Sequence, residues 1–185
     1  DISFALAESL AQIGFKTILI DADIRKSVLV TRYQIGRGVN GLSQYLSGQR
    51  TLKDVVYETT EENLDIIFAG PYSPNPTELL EEELCGLMFE TLRAVYDYII
   101  VDTPPMGGLI DGAIVAKYCD GAAIVIESGA ISYRMEQKVK EQLEKTGCRV
   151  LGVILNKVEN DKYGKYGKYG KYGKYDRYGG SETKD

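Results

Sequence analysis

Apolar positions along the first 160 residues fall into two alternating patterns. Phe4, Ala7, Leu10 and Ala11 recur at helical spacing, and the stripe stops at Gly14, a residue suited to ending a helix. The run "KTILID" at 16–21 then shows no alternation, and neither do "LDIIFA" at 64–69, "YIIVD" at 98–102, "AAIVIE" at 122–127 and "VLGVIL" at 150–155. Such runs predict parallel strands covered on both faces. Between them the spacing predicts helices over 75–96, 111–118 and 132–146, with shorter helices over 41–47 and 52–58. The longest opens with Asn75 as a cap, Pro76 at the first helical position and Glu78 where a capping-box acid falls. Strands alternating with helices predict an α/β fold, a doubly wound and mostly parallel sheet flanked by helices. Its ligands are expected beyond the carboxyl ends of the strands.

The pattern ends near residue 160, which divides the chain into an expected domain at 1–160 and a tail at 161–185. The tail carries Tyr163, Tyr166, Tyr169, Tyr172, Tyr175 and Tyr178 at a spacing of three. As a helix it would align those phenols on one face, but Gly164, Gly167, Gly170 and Gly173 each cost about 1 kcal/mol relative to alanine. A collagen-like triple helix is excluded by the lack of proline in the repeat. The tail is expected to be disordered, mobile and solvated.

Charge sharpens this division. The 185-residue chain has a net charge of −5, yet the tail holds seven Lys/Arg against four Asp/Glu, so an acidic body carries a basic tail. An acidic body argues against a broad nucleic-acid-binding face. Apolar runs fall short of the roughly 20 residues that span a bilayer, and the first residues have no signal-peptide pattern. Cys85, Cys119 and Cys148 are widely spaced and histidine is absent, which argues against a zinc site and fits a reducing cytoplasm. A start at Asp1, at the head of a helical stripe, reads as a fragment of a longer polypeptide.

Two strand ends carry the candidate chemistry. "ILIDADIRKS" places Asp21, Asp23 and Arg25 at alternate positions after one strand, and "YIIVDTPPMGG" ends another with Asp102 before a Pro-Pro turn. Carboxylates converging at one edge are costly unless a positive charge neutralises them. Mg²⁺ with a nucleotide phosphate suits the place, because it takes few carboxylates, keeps waters and uses phosphate oxygens. The plainer alternative is that Asp21 and Asp102 merely cap the turns that follow.

These residues bear a resemblance. "ILIDADIR" resembles the Walker A′ motif and "IIVDTPP" the Walker B motif of the bacterial tyrosine kinases that accompany capsular and exopolysaccharide synthesis. "GLSQYLSGQ" at 41–49, "SPNPTELL" at 73–80, "GVILN" at 152–156 and the tyrosine cluster are similar to the same family, so the resemblance covers essentially the whole chain. It implies a P-loop NTPase-like domain whose first strand and glycine-rich Walker A loop are not among these residues. "DISFALAESLAQ" resembles the helix that directly follows that loop. Tight ATP binding is therefore not expected of the fragment alone.

The resemblance implies an ATP-dependent protein-tyrosine autokinase that phosphorylates its tail tyrosines in trans and regulates polysaccharide synthesis and export. ATP and Mg²⁺ are the implied cofactors. Asp21 is the implied base or orienter of the incoming phenol, and Asp23 and Asp102 hold the Mg²⁺ shell, Asp102 through water. Arg25 steadies the anionic cluster, with a surface salt bridge as its alternative. Asn156 stands near the nucleobase, or is a plain turn asparagine. Implied partners are neighbouring subunits of a homo-oligomer, a membrane-embedded activator and a protein-tyrosine phosphatase, with no nucleic acid. The implied location is cytoplasmic, at the inner face of the cell membrane through the activator. Six phosphotyrosines at about −1.5 to −2 each would turn the tail from +3 to about −6 to −9, a charge reversal able to switch docking into repulsion. Two further readings remain: a partitioning or division-site ATPase that modifies no tyrosine, since both strand-end motifs are shared with that class, and a non-catalytic interaction module. An adhesive, anion-binding segment is the tail's alternative role.

Overall fold

The computed structural model describes residues 2–27, 29, 38–107, 110–130 and 132–158. Helix α1 (Ile2–Gln12) is followed by Gly14 at φ 98°, a conformation that β-carbon sterics reserve largely for glycine. The chain then enters β1 (Thr17–Asp21), every residue of which is buried. A four-stranded sheet forms around it in the order β2 (Val56–Glu58), β3 (Leu64–Ile67), β1, β4 (Tyr98–Asp102). β1 runs parallel to both neighbours, and only β2 is antiparallel. The β1–β4 register sets Asp21 opposite Asp102 at the carboxyl ends.

Alternation along β1 distributes the core over two layers. Ile18 and Ile20 enter a cluster with Leu42, Tyr45 and Leu46 of α2 (Leu42–Leu46) and Met88, Phe89 and Leu92 of α4 (Glu83–Arg93). Ile114 and Val115 of α5 (Asp111–Ala116) join the same cluster. Leu19, between them in sequence, packs on the opposite face with Ala7 and Ala11 of α1, Leu64, Ile66 and Phe68. The central strand is thus covered on both sides, as a doubly wound sheet requires, and each fully buried Ile or Leu contributes about 1.5–3 kcal/mol.

A second, two-stranded parallel sheet joins β5 (Gly121–Glu127) to β6 (Arg149–Asn156), with α6 (Tyr133–Lys145) between them in sequence. Both strands lie where the apolar runs predict them, but the expected burial fails. Leu151, Val153 and Leu155 are exposed by half or more, because among the described residues β5 and β6 pair only with each other and lack the double cover of β1.

Three local expectations are corrected. The predicted helix over 75–96 is two helices, α3 (Pro76–Glu81) and α4, broken at Glu82, whose ψ of 149° is extended. Glutamates 81–83 oppose the dipole at a helix C-terminus and favour it at an N-terminus, so restarting at Glu83 suits their charge. Pro76 does occupy the first helical position, but Asn75 makes no side-chain cap bond; its own N–H donates to Ser73 Oγ at 3.3 Å. The predicted helix over 52–58 is a single 3₁₀ turn (Leu52–Asp54) leading into β2, with Thr51 N–H donating to Asp54 Oδ2 at 2.8 Å. The six tail tyrosines and the 161–185 segment lie outside the described residues. Among the described residues, no helix is long and apolar enough to cross a membrane.

Candidate active site

The carboxyl ends of β1 and β4 bring three predicted residues together. Asp21 ends β1 with 1% of its surface exposed, opposite Asp102, and Asp23 follows on the turn leaving the strand. Asp21 Oδ1 accepts the N–H of Asp23 at 3.1 Å, and its Oδ2 accepts the hydroxyl of Ser27. Asp23 Oδ1 in turn accepts the N–H groups of Arg25 and Lys26 at 3.3 and 2.9 Å, so the carboxylates themselves shape the turn. Across the sheet, Ser3 of α1 donates to Asp102 Oδ1 at 2.5 Å. Asp21 thus caps its own turn through the Asp23 N–H and also accepts the hydroxyl of Ser27 in that turn, whereas Asp102 accepts a serine hydroxyl from a separate segment, α1.

Burial pushes the Asp21 carboxyl up to about 6. The bonds from Ser27 and Asp23 oppose the rise, while the neighbouring charges of Asp102 and Asp23 add to it. Three carboxylates stand at one edge, and Asp21, raised by burial yet ionised above about pH 6, gains from an arriving cation. The donors are hard oxygens, the kind Mg²⁺ takes. No group of three acidic, Cys or His side chains closes into a metal cage among the described residues.

A cleft of about 330 Å³ opens beside this turn, between Asp23, Lys26 and Ser27 on one side and Gly70, Pro71 and Tyr72 on the other. Tyr72 stands at its lip, three-quarters exposed.

Arg25 corrects its prediction. Its side chain bonds none of the three aspartates: Nε donates to Asp111 Oδ2 at 2.5 Å and Nη2 donates to Asp111 Oδ1 at 3.0 Å. This is no surface salt bridge either, because Asp111 is 1% exposed and Arg25 one-third exposed. The guanidinium beside Asp111 holds its carboxyl below the usual range. Asn156 ends β6 in the second sheet, where its Oδ1 accepts the N–H of Lys157 at 2.9 Å and its carbonyl accepts the N–H of Ser128. That is the bonding of a turn asparagine.

Sequence reasoning missed Ser3, Ser27, Thr77 and Asp111. Only Asp111 carried a signal, as an acid opening a helix after the Pro-Pro turn. The thiols stay outside this chemistry: burial raises Cys85 to about 12 and Cys119 to about 11, keeping both protonated.

Fold and site together define a P-loop NTPase-like domain, and the family described as an AAA domain matches residues 2–145. Tyrosine-protein kinase CpsD of Streptococcus agalactiae is 46% identical over 156 residues, covering 84% of this chain and 68% of that protein. The kinase domain of Escherichia coli tyrosine kinase ETK superposes with a TM-score of 0.79 at 32% identity, covering 84% of this chain and 60% of that one. The chain belongs to this family of bacterial tyrosine-protein kinases. The septum site-determining protein MinD of Pyrococcus horikoshii, solved with Mg-ADP, has a TM-score of 0.69 at 22% identity over 83% of this chain and 63% of its own, a likeness of fold alone.

Proposed function

We propose that this chain supplies the catalytic carboxylates of an ATP- and Mg²⁺-dependent protein-tyrosine autokinase. It phosphorylates Tyr163, Tyr166, Tyr169, Tyr172, Tyr175 and Tyr178 of a neighbouring subunit and thereby regulates capsular or exopolysaccharide synthesis. The observation that carries this reading is the convergence of Asp21, Asp23 and Asp102 at the ends of adjacent strands, with Asp21 buried and its carboxyl raised to about 6.

Asp21 orients the phenol and accepts its proton at a carboxylate oxygen. A base of pKa about 6 does not fully deprotonate a phenol of pKa about 10 in advance, so proton transfer accompanies phosphoryl transfer. Asp23 and Asp102 would hold the Mg²⁺ shell. When bound, Mg²⁺ neutralises the charge that develops on the phosphate oxygens. Most of the rate enhancement comes from positioning and electrostatics.

The basic tail complements the acidic body, so an unmodified tail docks and a phosphorylated one is repelled. On this reading the protein works as a homo-oligomer in the cytoplasm at the inner membrane face, with a membrane-embedded activator and a phosphatase that resets the tail. The test is to incubate the full-length polypeptide, with its activator, in ATP and Mg²⁺ and to map phosphate by mass spectrometry beside an Asp102→Asn control. Phosphate on the tail tyrosines that disappears in the control supports the kinase. ATP hydrolysis without phosphotyrosine favours a positioning or partitioning ATPase instead.

A further inference from the structure

We propose that Asp111 is a positioning residue for phosphoryl transfer, acting through Arg25 and Thr77 to hold the turn that carries Asp21 and Asp23. The bonds that shape this turn are mostly internal: Asp21 and Asp23 accept the N–H groups of Asp23, Arg25 and Lys26 and the hydroxyl of Ser27. Two backbone bonds also reach outside it: the Ala22 N–H donates to the Asp102 carbonyl of β4 at 2.8 Å, and the Ile24 carbonyl accepts the Ser73 N–H at 3.4 Å. Past Ile24, where those backbone bonds end, Arg25 supplies the side-chain anchor. Its fork meets both oxygens of Asp111, and Nη2 also donates to Thr77 Oγ1 at 2.8 Å. Thr77 completes the triangle by donating to Asp111 Oδ1 at 2.9 Å.

The three side chains come from three segments. Arg25 follows Asp23, Thr77 lies in the first turn of α3, and Asp111 opens α5 just downstream of the Asp102 loop. One buried carboxylate therefore ties both aspartate-bearing loops and a third element to a common point. A two-oxygen, two-nitrogen pairing fixes orientation as well as distance, which a single-point contact does not. Stability alone does not account for this design, since burying an ion pair costs roughly what its attraction returns and well-packed apolar residues serve as well. Position does account for it: transfer between phosphate and phenol is sensitive to displacements of about 1 Å, and reactive side chains need rigid support.

This inference rests on the kinase reading for its kinetic readout but not for its structural one. The variants Thr77→Val, Thr77→Ser and Asp111→Asn, made in the full-length kinase, are compared for kcat and for KM of ATP in tyrosine phosphorylation. Amide hydrogen exchange over residues 22–27 is followed beside that over α4. Thr77→Val keeps the side-chain volume and removes the hydroxyl. It should lower kcat roughly 10-fold with the KM for ATP changed by less than about twofold, and Thr77→Ser should restore kcat. Asp111→Asn should lower kcat by roughly 100-fold. Exchange of the Arg25 and Lys26 amides should quicken in Thr77→Val while α4 stays protected.

Wild-type kcat and unchanged exchange at 22–27 in both Thr77→Val and Asp111→Asn would overturn the proposal. Loss of protection in α4 to the same extent as in the turn would also overturn it, because the triangle would then be merely structural. A wild type that labels no tyrosine defeats the kinase reading instead, and the exchange comparison still decides whether Asp111 and Thr77 hold the turn.

Discussion

Asp21 is the residue whose chemistry and stability pull in opposite directions, and Asp21→Asn measures the conflict. Its carboxyl rises from the ordinary 3.8 to about 6 on folding, which corresponds to about 3 kcal/mol at 1.36 kcal/mol per pKa unit. A folded-state pKa above the unfolded one means that the native state binds the extra proton. The stabilisation from this group is therefore fully present below 3.8 and is lost as pH rises through about 6. At pH 7.5 the wild type carries the whole penalty. Asparagine removes the charge but keeps only one acceptor oxygen for the donors of Ser27 and Asp23, a loss of about 1 kcal/mol. The variant should thus be more stable than the wild type by about 1–2 kcal/mol at pH 7.5, by denaturant unfolding without Mg²⁺. The advantage should shrink as pH falls through 6 and vanish near 4. Millimolar Mg²⁺ should narrow it at pH 7.5 by binding the folded wild type. A variant that is less stable at pH 7.5, or a difference that ignores pH, would refute the assignment of Asp21 as a buried, strained carboxylate.

Other expectations follow from single contacts. Gly41→Ala places a β-carbon against the backbone of Gly70 and Phe68, which a flexible side chain cannot relieve. It should lower stability by about 1–3 kcal/mol or more in urea denaturation, displacing the 41–46 segment from the strand end. Met88→Ala empties a fully buried position between α4 and β1 and should cost about 2–5 kcal/mol by the same measurement. Tyr96→Phe removes the half-buried 2.6 Å bond to Asp65 of β3. It should cost about 1 kcal/mol and leave tyrosine phosphorylation unchanged in the labelling assay, separating bonding remote from the strand-end carboxylates from the site itself.

The strands were legible because burial on both faces leaves a local mark: β1 carries the unbroken apolar run Ile18–Leu19–Ile20 and is buried throughout. The strand-end acids were equally legible, since a charged residue directly after such a run has to stand at the sheet's edge. The break at Glu82 was not, because 75–96 keeps its helical spacing straight through it, and the restart shows only as a backbone angle and a charge preference. Exposure of β6 was hidden for a related reason: "VLGVIL" reports what the strand can bury, while cover depends on which elements pack against it. Arg25 was misplaced because its partner is 86 residues away. Spacing put it beside two aspartates, and only the fold supplies a third acid that takes both of its bonded nitrogens. Ser3 and Thr77 lie equally beyond local reading, since a lone hydroxyl carries no pattern until its acceptor is known.

The two carboxylate systems at this edge differ in how their charge is met, and the difference bears on what each can do. Asp111 has a permanent cation: Arg25 lowers its pKa and occupies both its oxygens, so it stays ionised and is poorly placed to exchange protons. Asp21 is raised chiefly by burial, with a smaller push from two neighbouring carboxylates, and its described bonds come from neutral donors, so its charge remains responsive. A sequence selected for stability alone would place the arginine on the more strained acid, four residues before it in the chain. Arg25 instead spans outward to an acid it can lock. On the proposed reading this leaves the trio to be neutralised only transiently, by Mg²⁺ and then by the Lys or Arg that precedes each tail tyrosine. The penalty at Asp21 is then the driving force for ligand binding, and the Arg25–Asp111 pair, together with the Ala22–Asp102 backbone bond, is proposed to keep the turn from relaxing away from it.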